Sequence, residues 1–192
     1  MQQSAQRMQQ LIHDLLAFSR LSAAERKFEN INLGILIEEV KTEFNETILQ
    51  THARIDAPET CVVRIIPFQF RQLLHNLIGN ALKFSNPKRP PHIKISCRNS
   101  KYDKLKIKAL SPSKEYCHIT IADNGIGFEE EFSTKIFEVF QKLHGKEEYS
   151  GTGIGLAIVK KVVDNHDGII TATSKLDKGT TFNIYIPASP KK

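Results

Sequence analysis

The chain has 192 residues, 40% apolar and 25% charged, which suits one globular domain with a modest appendage. It contains no run of about 18 apolar residues and no charged-then-apolar leader with a small-residue cleavage site. Neither membrane contact nor secretion is therefore expected, and the predicted location is cytoplasmic. The net charge of +6 comes from dispersed lysines without interleaved aromatics or any helix-turn-helix or RNA-binding signature, which argues against a nucleic-acid partner.

Residues 1–26 predict an amphipathic helix. Ala5, Met8, Ile12 and Leu15 recur at intervals of three or four, Leu11 and Phe18 widen the stripe, and Gln2, Gln6, Gln9, Asp14 and Arg20 face away. A single such stripe cannot bury itself, so it requires a partner helix. The polar run SAAERKFEN that follows reads as a joint. The expected organisation is a helix over 1–26, a linker over 27–32, one domain over 33–187 and a tail over 188–192.

Within that domain, helix and strand patterns alternate. Asn32 is placed to cap a helix with the stripe Leu33, Leu36, Ile37, Val40, Phe44 and Ile48. Ala53–Ala57 and Cys61–Ile66 read as short strands. Pro67 falls in the first turn of a further helix, where its missing N–H costs nothing. Strand patterns follow at Ile93–Cys97, His118–Ala122, Ile169–Thr173 and Thr181–Ile186. In the last of these Phe182, Ile184 and Ile186 point one way, and Thr181, Asn183 and Tyr185 the other. The stretch Asn99–Glu115, with Lys101, Lys104, Lys106 and Lys108, reads as a polar surface hairpin. The simplest architecture is α+β: a mixed sheet with one face covered by three helices.

Cys61, Cys97 and Cys117 are odd in number and lack CxxC pairing, which argues against a disulfide framework and against zinc. Cys97 shares its strand face with Ile93 and Ile95, so it reads as a buried thiol.

Three segments carry chemistry. DNGIG, Asp123–Gly127, closes a strand pattern with a carboxylate. GTGIGLAIVKK, Gly151–Lys161, opens a helix pattern. Glycine lets backbone approach a ligand, and a helix N-terminus offers unpaired N–H groups to an anion, so phosphate is the expected ligand. In NLIGNALKFS, Asn76–Ser85, the residues Asn76, Asn80 and Lys83 form one polar stripe beside an apolar face of Leu73, Leu74, Leu77, Ile78, Ala81 and Leu82. Amide oxygens for a metal and an ammonium for phosphate are what Mg-ATP requires.

With the asparagine helix, DNGIG, IFEVF and GTGIG in this order, the chain resembles the C-terminal catalytic part of a two-component sensor histidine kinase, in the superfamily that includes gyrase, the Hsp90 chaperones and MutL. The resemblance implies a two-layer α/β sandwich of the Bergerat type, with ATP and Mg²⁺ as cofactors. It implies that residues 1–26 are the second helix of a dimerisation and phosphoacceptor hairpin. By the same resemblance Asn80 supplies an oxygen to Mg²⁺, while Asn76 and Lys83 approach the phosphates as catalytic groups. Asp123 accepts from the adenine amine, selecting adenine over guanine, and Gly125 and Gly127 keep the pocket wall close. Thr181 supports adenine recognition.

Phe137 and Phe140 match the aromatic box that anchors a lid, Gln141–Ser150, and both also read as core residues. Gly151, Thr152, Gly153, Gly155 and Leu156 belong to the second glycine box. Lys142 stands where many relatives have arginine, so a bidentate phosphate contact becomes at best a point charge.

The family's partners are a response-regulator receiver domain and a second copy of the kinase, paired through the hairpin. His13, His75, His144 and His166 do not match the acceptor-histidine motif, so the resemblance puts the phosphorylated residue upstream. A gyrase-like or MutL-like ATPase remains an alternative, but such enzymes carry a glutamate base where this chain has Asn76. A nucleotide-binding docking module is a second alternative.

Overall fold

The computed structural model describes residues 27–101, 115–141 and 151–188, with 8, 9, 11, 12, 15, 16, 18 and 19 near the start. Those early residues are helical. Leu11 and Phe18 pack against the main core, while Met8, Ile12, Leu15 and Leu16 are exposed. The expected lysine-rich hairpin beyond Lys101 lies outside the described residues.

The first strand, β1 (Glu29–Asn32), falls inside the stretch expected to be a linker. It pairs antiparallel with β3 (Val62–Ile65), placing Ile31 opposite Val63, and this pairing overrides its polar composition. Asn32 ends the strand and caps α1 (Leu33–Glu43), its Oδ1 accepting from Gly34 N at 2.9 Å. The stripe expected to run to Ile48 in one helix is cut at Phe44, which closes α1 and precedes a short α2 (Asn45–Thr51). Phe44 and Ile48 still pack on the core from there.

β2 (Arg54–Glu59) lies between α2 and β3, and α3 (Pro67–Lys83) begins with Pro67 in its first turn, as the sequence predicts. β4 (His92–Lys101), β5 (Glu115–Asp123), α4 (Gly155–Asn165), β6 (Ile169–Lys175) and β7 (Gly179–Pro187) complete the described elements apart from two 3-10 turns, Glu130–Phe132 and Lys135–Phe137. The main sheet has the order β2-β4-β5-β7-β6, with β2 and β4 parallel and the other pairs antiparallel.

One face of that sheet carries the core. Ile93, Ile95, Ile119, Ile121, Phe182, Ile184 and Ile186 meet Leu33, Ile37 and Val40 of α1, Phe70, Leu74 and Leu77 of α3, and Ile158, Val159 and Val162 of α4. The architecture is thus the expected α+β sandwich of a sheet and a helical layer. On the reverse face His118 stacks on Tyr185 at 4.5 Å and bonds Asn183 at 3.0 Å. His166 pins the helical layer from inside: its Nε2 accepts from Ile66 N at 2.9 Å, so Nδ1 carries the proton and donates to the Val162 carbonyl at 2.7 Å.

The structure brings together cysteines that the sequence leaves far apart. Cys61 and Cys97 have Cα atoms 5.6 Å apart, within reach of a disulfide, and Cys117 is a buried thiol beside them. Residues distant in sequence meet here across β3, β4 and β5, which spacing alone does not reveal.

Candidate functional site: a nucleotide pocket between two glycine turns

Asp123 ends β5 on the same strand face as Ile119 and Ile121, so its carboxylate points toward the helical layer. Oδ1 accepts from Gly125 N at 2.8 Å and from Thr180 N at 3.1 Å. Burial raises the Asp123 pKa above its ordinary 3.8, and the two backbone bonds oppose that shift. Both bonds land on Oδ1, which leaves Oδ2 as an acceptor for a ligand donor.

The turn after Asp123 is held from several sides. Ile126 N donates to the Phe84 carbonyl at 3.0 Å, tying the turn to the end of α3. Arg89 donates from Nε to the Asn124 carbonyl at 2.8 Å, and from Nη2 to the carbonyls of Gly125 and Asp177. The Asn124 side chain accepts from His92 N at 2.8 Å and donates to the Pro90 carbonyl at 3.0 Å. Gly127 has φ +65°, and a Cβ there would lie 2.1 Å from the Lys175 carbonyl oxygen. Gly179 has φ +102°, and a Cβ there would lie 2.0 Å from the Asp123 carbonyl oxygen. Only glycine allows these strands to close so tightly beneath the carboxylate.

The opposite wall is the polar stripe of α3. Asn76, Asn80 and Lys83 are all half-buried, as the helical spacing predicts. Asn76 lies against the start of α4: a Cβ on Gly155 would be 3.3 Å from Asn76 Oδ1. The Asn76 Nδ2 atom is buried and has no hydrogen-bond partner among the described residues, a donor whose partner a bound ligand would supply. Lys83 Nζ stands 4.6 Å from the Phe84 ring centroid, and a Cβ on Gly151 would approach it to 2.6 Å. The ammonium therefore sits against the GTGIG loop. Among the described residues no side-chain hydrogen bond caps the N-terminus of α4, whose leading N–H groups are the expected anion donors.

Phe140 N donates to the Gly153 carbonyl at 3.0 Å, which joins the two ends of the segment expected to form a lid. Lys142 and the rest of that segment, 142–150, lie outside the described residues. Phe137 packs edge-on to Phe182 at 6.4 Å. Phe140 is not the core residue expected: it is 62% exposed with φ +67°, and Ile136 fills the buried position. Thr152 is buried and Leu156 is half-buried on the core, so both support the loop from below.

Thr181 is placed differently from expectation. It pairs with Ala122 and shares the reverse face of β7 with Asn183 and Tyr185, away from Asp123. Thr180, one residue earlier, is the one whose N–H reaches Asp123 and whose Oγ1 lies 3.0 Å from Ser174 Oγ. The signal was in the sequence: Thr180 alternates in phase with the core residue Phe182. Arg89 had no such signal, since a single cation in a loop has no periodicity.

A half-buried carboxylate opposite an amide-and-lysine stripe, with the N-terminus of a helix beside it, suits a nucleotide-binding α+β sandwich of the ATPase class. The chain belongs to the histidine kinase-, DNA gyrase B- and HSP90-like ATPase family, whose profile matches residues 66–190. It is 34% identical over 185 residues to cyanobacterial phytochrome A of Nostoc sp., covering 96% of this chain and 22% of that protein. It is 29% identical over 196 residues to the signal transduction histidine-protein kinase BarA of Escherichia coli (strain K12), covering 96% of this chain and 20% of that one. The fold superposes on histidine kinase ThkA in complex with the response regulator TrrA with a TM-score of 0.69 at 22% identity, covering all of this chain and 50% of that one. The chain thus spans about a fifth of the length of these curated relatives, and corresponds to the ATP-binding catalytic region of sensor histidine kinases. No helix among the described residues is long and apolar enough to cross a membrane.

Proposed function

We propose that this chain binds Mg-ATP and transfers the γ-phosphate to a histidine on a helix preceding residue 1, for relay to a response-regulator aspartate. The observation that carries this reading is Asn76 of α3, which faces the start of α4. An amide there, with its Nδ2 buried and unpartnered, offers a hydrogen bond to phosphate but cannot act as the general base that an ATPase would place at that position.

Asp123 Oδ2 receives the adenine amine, with Thr180 in place of Thr181 as its neighbour. Asn76, Lys83 and the N–H groups opening α4 hold the phosphates, as do the backbone amides of Gly151, Thr152 and Gly153. Gly125 and Gly127 form the floor, and Leu156 and Phe137 the apolar flank. Asn80 would hold Mg²⁺ through its Oδ1, and the ion would supply neutralisation of charge on the transferring group. Lys142 adds a point charge from the lid. The chain itself contributes position and charge: it orients the γ-phosphate, excludes water and needs no covalent intermediate.

The exposed Met8, Ile12, Leu15 and Leu16 are the apolar stripe that a hairpin partner would cover, which supports assigning residues 1–26 to a dimerising hairpin. A response regulator is the proposed recipient, by likeness to ThkA. The need for ATP as phosphate donor supports a cytoplasmic location.

The test is incubation of this chain with γ-labelled ATP and a longer protein that carries the preceding helix and a disabled ATP site. The expected product is labelled acceptor whose label is lost in acid and kept in base, as a phosphohistidine is. Release of free phosphate at a rate indifferent to the acceptor would identify an ATPase instead. Nucleotide binding with neither transfer nor hydrolysis would leave only a docking module.

A further inference from the structure

All three cysteines of the chain converge on one point. Cys61 leads into β3, Cys97 lies on β4 and Cys117 on β5, yet their three sulfurs lie within 4.8 Å of one another. Cys61 and Cys97 lie within disulfide reach, with Cα atoms 5.6 Å apart, and Cys117 Sγ lies 3.1 Å from Cys61 Sγ and 3.0 Å from Cys97 Sγ. Cys97 and Cys117 are 4% and 2% exposed, whereas Cys61 is only half-buried and gives the cluster its access to solvent.

Three converging sulfurs suit either a soft metal ion or disulfide exchange. A metal would need three thiolates, and a monovalent or divalent ion among them leaves net negative charge inside the apolar cluster that includes Ile93, Ile95 and Ile119. Burial already opposes that charge, pushing the Cys117 thiol up to about 12. Disulfide exchange begins and ends with neutral sulfurs, and the surroundings favour it.

We propose that Cys61, Cys97 and Cys117 form a redox-exchange site, in which a small-molecule disulfide reacts at Cys61 and the resulting bond is shared among the three sulfurs. The Cys61 thiolate attacks a disulfide RSSR, giving Cys61–S–S–R, and the departing RS⁻ takes a proton. Cys97, losing its proton, attacks Cys61 Sγ; the Cys61–SR bond breaks and a second RSH leaves. Two protein thiols are oxidised by two electrons, and RSSR is reduced to two RSH. Cys117 then displaces Cys97 from Cys61, Cys97 regains a proton, and no net electrons move. Because thiolate is scarce in this setting, the exchange is slow. Asp123 lies six residues beyond Cys117 along β5, about 20 Å away, so the site acts on the sheet without touching the nucleotide pocket.

The test starts from the reduced chain, freed of reductant and exposed to oxidised glutathione, with thiols counted in denaturant and disulfides mapped by mass spectrometry of peptides. The wild type should fall from three thiols to one, and its Tm should rise by about 5–10 °C on oxidation. C97S should still form a bond, Cys61–Cys117. C61S, which removes the sulfur with solvent access, should oxidise at least about tenfold more slowly. Three persistent thiols in the wild type, or a C97S variant that keeps both thiols free, would overturn the proposal. So would C61S oxidising at the wild-type rate, or a stoichiometric metal found in the reduced chain by elemental analysis.

Discussion

Asp123 Oδ1 and the backbone N–H of Thr180 are 3.1 Å apart although 57 residues separate them in the chain. This bond joins the end of β5 to the start of β7 and fixes which carboxylate oxygen is left for a ligand. In Asp123→Asn the amide keeps the two backbone bonds only by turning its Oδ1 to them and its NH₂ outward, where it meets the adenine amine donor to donor. Loss of a hydrogen bond to a charged acceptor removes about 1.5–3 kcal/mol of binding, roughly a 10- to 100-fold weaker affinity for ATP. Titration calorimetry measures it directly. Affinity equal to the wild type would exclude Asp123 as the adenine acceptor.

The same carboxylate links binding to pH. Burial raises the Asp123 pKa above 3.8, so the free protein holds this proton to higher pH than an exposed aspartate would. The adenine amine binds the ionised form, so ligand lowers the pKa and binding releases protons at pH values between the lowered and the raised value. Folding linkage has a matching sign: the raised folded pKa favours the native state at low pH, and that contribution is lost as pH rises from 3.8 through the folded value. Calorimetry with adenosine in buffers of different ionisation enthalpy should show proton release on the acid side of neutrality. Proton uptake there would contradict the assignment.

The sandwich, and the elements that carry the proposed site, were legible because their signals are local or periodic. The Asn32 cap, Pro67 at the start of α3, the alternation of β7 and the spacing of Asn76, Asn80 and Lys83 all stand in the structure as the sequence predicts. What stayed hidden depends on partners distant in sequence. β1 reads as a linker because its strand character comes from pairing with β3. Nothing in the stripe through Phe44 and Ile48 marks where α1 stops. The cysteine cluster and the Arg89 clamp are long-range meetings that leave no pattern in sequence.

Arg89 tests whether the turn needs external support. It donates to three backbone carbonyls, those of Asn124, Gly125 and Asp177, and so supports the turn without itself being assigned a ligand contact. Lysine keeps the charge but not the fork that reaches several acceptors at once. Because Arg89 is only half-buried, the expected loss for Arg89→Lys is about 2 kcal/mol, a fall in Tm of roughly 4–8 °C for a chain of this size. ATP affinity should drop several-fold as the turn beside Asp123 loosens. A thermal scan and a binding isotherm read the two effects separately, and an unchanged Tm would show that the other bonds of the turn suffice.

Gly179, like Gly127, is a position where the backbone leaves no room for any other residue. Its φ of +102° is closed to ordinary side chains, and an added Cβ would fall 2.0 Å from the Asp123 carbonyl oxygen, a backbone atom with no freedom to swing aside. Gly179→Ala must therefore shift β7 away from the end of β5, stretching the Thr180 to Asp123 bond that shapes the pocket. The expected loss is at least about 2 kcal/mol of stability, lowering Tm by roughly 5 °C or more, together with weakened ATP binding. The same substitution at Gly79 is the contrast. There a Cβ would meet the tip of the Phe44 side chain at 3.2 Å inside α3, where alanine favours the helix and the ring can yield. Gly79→Ala should stay within about 1 kcal/mol of the wild type. Equal thermal shifts for the two variants would show that the approach of β7 to Asp123 is not what holds this end of the sheet closed.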